Sequence, residues 1–86
     1  MPLYFSSYTT ACLTKQALKQ LTLQLLSCAE VKVHRCVASQ IGGRMLIECD
    51  ASDQATLEKF LASRHITSEW IMRIDLDGRA GMVTEY

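Results

Sequence analysis

Val31-Lys-Val-His-Arg-Cys-Val-Ala-Ser-Gln-Ile-Gly-Gly-Arg-Met-Leu-Ile-Glu-Cys-Asp50 decides the fold. Two runs with alternating apolar residues, 31–39 and 44–50, flank a pair of glycines. Each run reads as a strand, and Ile41-Gly42-Gly43 reads as the turn, because paired glycines supply the positive φ that hairpins need. With a three-residue loop Gln40 pairs with Arg44, which sets Val37 opposite Ile47 and Cys36 opposite Glu48. A two-residue loop would set Val37 against Glu48 and mix the faces. A slip of one residue inverts every side chain, so the three-residue loop is the expectation.

The flanking segments repeat the theme. Residues 3–9, rich in aromatics and hydroxyls, read as a strand. Thr14 is placed to cap a helix running to about Cys28, with Ala17, Leu18, Leu21, Leu25 and Cys28 forming one stripe. Leu23 and Leu26 fall off that stripe. After the central hairpin, Ser52 or Asp53 caps a second helix over about 53–64, whose stripe is Leu57, Phe60 and Leu61. Residues 70–76 read as the fourth strand, ended by an Asp77-Gly78 turn. The domain then covers 1–78, and 79–86 is a tail or a short added strand. The order is βαββαβ, which predicts an α+β, ferredoxin-like sandwich: two helices on one face of a four-stranded antiparallel sheet.

Composition narrows the class. The 86 residues are 49% hydrophobic and 21% charged, with one Pro and four Gly, which excludes a disordered or collagen-like chain. Nine basic and nine acidic residues leave no net charge. That argues against nucleic acid or an anionic membrane surface as the general partner. The third strand also lacks the aromatic signature of RNA-binding sheets. Cys12, Cys28, Cys36 and Cys49 form no Cys-x-x-Cys pair. The N-terminus has no secretory pattern, and Lys19, Gln20 and Gln24 interrupt the longest apolar cluster. A cytoplasmic protein with reduced thiols is the expectation.

Strand alternation assigns the open face. It sends Tyr4, Tyr8, His34, Cys36, Glu48, Arg73 and Asp75 away from the helices, and Phe5, Val37, Trp70 and Met72 toward them. His34 and Cys36, two apart on one strand with Glu48 opposite, offer imidazole, thiolate and carboxylate to a divalent transition metal. The plainer alternative has His34 hydrogen-bonding across the sheet and Cys36 packing on a partner. Tyr4, Tyr8, Arg73 and Asp75 are candidates for a pocket taking a small acid, or for an interfacial ion pair with aromatic packing. Cys36 has no third group to orient it as a nucleophile, and no Gly-rich loop opens a helix. His65 reads as a residue at a helix end.

Leu46-Ile-Glu-Cys-Asp-Ala-Ser-Asp-Gln-Ala-Thr-Leu-Glu-Lys-Phe60, followed by Ile66 and Trp70-Ile-Met-Arg-Ile74, resembles a group of small bacterial ferredoxin-like proteins that includes a nickel-binding member. Met1-Pro-Leu-Tyr4 is also similar. His65 stands where that group usually has Gly. The resemblance implies a ferredoxin-like fold, assembly through the sheet, and metal binding, with nickel as one such ion. The wider superfamily of dimeric α/β barrels includes cofactor-free monooxygenases and isomerases.

An open apolar sheet face calls for a cover, so a homodimer or higher homo-oligomer is expected. The leading expectation is a non-catalytic binding protein for a metal ion or small ligand. The alternatives are a small cofactor-free enzyme of the dimeric barrel type and a purely structural interaction module.

Overall fold

A computed structural model describes all 86 residues. The elements are β1 (Leu3–Thr9), α1 (Lys15–Leu26), β2 (Lys32–Ser39), β3 (Arg44–Asp50), α2 (Gln54–Ser63), β4 (Ser68–Arg73), β5 (Leu76–Arg79) and β6 (Met82–Glu85). β1 to β4 form an antiparallel sheet in the order β2-β3-β1-β4, and β5 and β6 form a separate two-stranded hairpin. The architecture is α+β. No helix is long and apolar enough to cross a membrane.

Capping residues begin both helices. Thr14 accepts a hydrogen bond from the Ala17 amide and Asp53 from the Thr56 amide, each satisfying an orphan donor of a first turn. The amphipathic stripes then dock both helices on one face of the sheet. Leu18 and Leu25 from α1 and Leu57, Phe60 and Leu61 from α2 share one core with Met45, Ile47 and Cys49 of β3. Leu23 and Leu26 stay exposed.

His65 occupies a glycine's position. The Ile66 amide bonds to the Leu61 carbonyl and the His65 amide to that of Ala62, closing α2 in a Schellman arrangement. This puts His65 at φ 59°, in the left-handed region where a side chain is strained. Buried Ile66 supplies the accompanying apolar contact. His65→Gly is therefore expected to raise the unfolding free energy by about 1 kcal/mol. Urea denaturation checks this, and an unchanged or lower midpoint would refute it.

The central hairpin departs from the expected register. Its loop has four residues, 40–43, so Ser39 rather than Gln40 pairs with Arg44. Gly43 takes φ 64°, and its amide bonds to the Ser39 carbonyl. The extra residue sets Val37 opposite Leu46 and Cys36 opposite Ile47. A bulge between Val33 and Arg35 then restores the expected phase, with Val33 opposite Cys49 and Lys32 opposite Asp50. A second bulge interrupts the β1–β4 pairing between Ser7 and Tyr8.

Two more strands are inverted relative to the sequence expectation. β1 pairs Tyr4, Ser6 and Tyr8 with the helix-facing Cys49, Ile47 and Met45. β4 pairs Ile71 with Ser6 and Trp70 with Ser7. Tyr4 and Tyr8 thus belong to the core, while Phe5, Ser7, Trp70 and Met72 lie on the face away from the helices. β4 also ends at Arg73, and the last residues form the β5–β6 hairpin rather than continuing the fourth strand to Leu76.

Candidate functional site

The face opposite the helices has two zones. One end holds a cleft of about 500 Å³ crossing all four strands, lined by Ser7, Val37, Ala38, Ser39, Arg44, Leu46, Glu69 and Trp70. Val37, Leu46 and Trp70 give it an apolar body. Its polar side is a short network: the Glu69 Oε1 accepts from the Arg44 Nε at 2.8 Å and from the Ser7 hydroxyl at 3.5 Å. The bulge opposite Ser7 and Tyr8 brings Glu69 into this network, because it places Glu69 beside Trp70 instead of behind it.

The other end is charged. His34 Nε2 lies 3.0 Å from Asp50 Oδ2, and Arg35 Nε lies 3.8 Å from Glu48 Oε1. The bulge in β2 accounts for this pairing, since it turns His34 and Arg35 to one side together. A cleft of about 390 Å³ between these residues and the β5–β6 hairpin includes Leu3, Phe5, Arg35, Glu48, Leu76 and Arg79 in its walls.

The metal triad expected from the sequence does not come together. His34 and Glu48 lie on the open face, but Cys36 opposes Ile47 and packs against the core. Burial pushes the Cys36 thiol up to about 11, so it stays protonated at neutral pH. Cys49 is pushed up to about 12, first by burial and then by the neighbouring Asp50. Neither thiol carries the thiolate of an activated nucleophile at neutral pH. No group of three or more His, Cys, Asp or Glu side chains is positioned to hold a metal ion. Glu48 has Arg35 and Phe5 as its cross-strand neighbours, in place of the expected Cys36.

The expected acid pocket is dispersed too. Tyr4 and Tyr8 are buried under the helices, and the Tyr8 hydroxyl donates to Met45 Sδ at 2.7 Å. Burial raises the pKa of that hydroxyl strongly. Arg73 opposes Tyr4 and is exposed. Asp75 lies in the bend before β5, where its carbonyl accepts from the Tyr86 amide. Strand alternation puts Val37 and Trp70 on the helix side, whereas the structure places both in the wall of the apolar cleft. The signal that could have found them is amphipathic balance. Trp70 and Met72 alternate with Ile71 and Arg73, so both phases of β4 present apolar groups and only its register against β1 decides.

No family model, curated protein or solved structure matches the chain.

Proposed function

We propose that the protein is a small self-associating binding protein of ferredoxin-like fold whose ligand sits in the cleft on the open sheet face. The ligand is a small molecule with an apolar body and a polar head. The observation that carries the reading is the lining of that cleft: an indole and two aliphatic side chains beside the Arg44–Glu69–Ser7 network. Apolar concavities with a few convergent polar groups are the usual form of small-molecule sites. The strand order β2-β3-β1-β4 supports the ferredoxin-like reading. Self-association is supported by the apolar groups left uncovered on the same face, Val37, Leu46, Trp70 and Met72.

Trp70 is the sole tryptophan and is 41% exposed, so it reports directly on the cleft. Titration with anilinonaphthalene sulfonate, an anionic aromatic probe, should quench its emission saturably by energy transfer, with one probe bound per chain. Val37→Lys places a charge in the apolar wall and should weaken binding at least about tenfold, the cost of roughly 1.4 kcal/mol. Probe binding that leaves Trp70 emission untouched, or that is indifferent to Val37→Lys, would remove the cleft as the site.

A further inference from the structure

Charge divides the chain. Residues 1–47 carry Lys15, Lys19, Lys32, Arg35 and Arg44 against the single carboxylate of Glu30. The remainder holds the acidic excess of this neutral chain. Arg35 and Arg44 are answered by Glu48 and Glu69, and Glu30 is taken by Arg64. Lys15, Lys19 and Lys32 take part in no ion pair. No acidic residue lies on α1 or β2. Lys15 and Lys19, four apart on α1, face the same way, and like charges so placed repel.

The two lysines flank a groove. α1 packs along β2, the outer strand of the sheet. Lys15, Leu18, Lys19 and Thr22 of α1, with Ala38 and Gln40 at the end of β2, line a cleft of about 420 Å³. Ala38 pairs with the buried Met45 and so points to the helix side, yet it is exposed, since a methyl group leaves the gap to α1 unfilled. Beside the cleft runs the free edge of β2. No backbone bond from outside the sheet reaches Cys36, Val37 or Ala38. Alternate residues of this stretch therefore turn an unpaired N–H and C=O outward.

We propose that this groove takes an extended acidic peptide of a partner protein, which adds to the Cys36–Ser39 edge as a further strand and lays two carboxylates against Lys15 and Lys19. The spacings agree. Residues four apart on a helix lie about 6 Å apart along its axis, and residues two apart on a strand lie about 7 Å apart on one face. An Asp or Glu at alternate positions thus meets one lysine each. Backbone bonds to β2 hold the peptide, and the lysines select its charge. The bulge in β2 between Val33 and Arg35 ends the regular edge and confines the added strand to this half.

Fluorescence anisotropy with the full chain and a labelled peptide, Gly-Val-Glu-Val-Glu-Gly, tests it. The native protein should bind saturably, with a dissociation constant below about 1 mM. Lys15→Glu with Lys19→Glu changes only exposed side chains and should weaken binding at least about tenfold. A peptide with lysine in place of both glutamates should fail on the native protein and bind the reversed variant. N-methylation reads the strand: a methyl on an amide that faces β2 should cost at least about tenfold, and one moved by a single residue should cost little. No binding, or binding indifferent to the lysine reversal, would overturn the proposal. Equal losses from both methylated peptides would overturn it too, since charge alone would then hold the peptide. So would displacement of the peptide by an equal concentration of inorganic phosphate, which would give the cleft to small anions. Sedimentation equilibrium covers the last occupant: association of the native chain that the lysine reversal abolishes would give the groove to a second copy and overturn the peptide.

Discussion

Leu57→Ala should lower the unfolding free energy by about 3 kcal/mol. Leu57 has 0% exposure and sits in the core cluster that joins α2 to the buried face of β3. Truncation there removes three heavy atoms from a close-packed interior and leaves a cavity that neighbours fill only partly. In a domain of this size total stability is on the order of 5–10 kcal/mol, so the loss is a large share of it. Thermal unfolding should shift down by roughly 15 °C. Leu23→Ala, on the exposed side of α1, is the control and should change stability by less than about 0.5 kcal/mol. Equal effects at the two positions would mean that the helices do not pack as described.

Ser6→Ala should move stability in the opposite direction. Ser6 has 0% exposure, lies between Ile47 and Ile71 on the helix side of the sheet, and its hydroxyl has no hydrogen-bond partner. A buried hydroxyl without a partner loses its hydration and regains nothing. Alanine removes the oxygen while leaving the strand geometry unchanged, for a gain of about 1–2 kcal/mol. Chemical denaturation of the variant should show a higher midpoint at unchanged slope. A lower midpoint would mean that the hydroxyl is satisfied after all.

The order of the first elements and the caps of both helices were legible in the sequence because each rests on local signals. Thr14 and Asp53 are capping residues followed by helical stripes, and Leu57, Phe60 and Leu61 can share only one side of a helix. The phase of β3 was legible for the same reason, as Met45, Ile47 and Cys49 alternate with Arg44, Glu48 and Asp50. The faces of β1 and β4 were not. Leu3-Tyr4-Phe5 is apolar at consecutive positions, so either phase buries something, and the tyrosines went inside. The bulges at His34 and beside Tyr8 carry no glycine to announce them, yet each shifts every residue beyond it. The candidate metal triad failed at that point: His34 kept its expected side, and Cys36, two residues away across the loop-shifted stretch, did not. The terminal hairpin was missed because Asp77-Gly78 looks like a turn, whereas the chain turns at Ala80-Gly81.

The same kink in β2 bears on solubility. β2 is an outer strand of the sheet, with one row of amide and carbonyl groups unpaired. A straight, apolar strand in that place would template endless lateral growth into fibres. Here the backbone is bent at His34 and flanked by Lys32 and Arg35, so a neighbouring strand meets broken geometry and like charge. Growth at this border is therefore disfavoured, and polymerisation along it should stay minor even at high protein concentration.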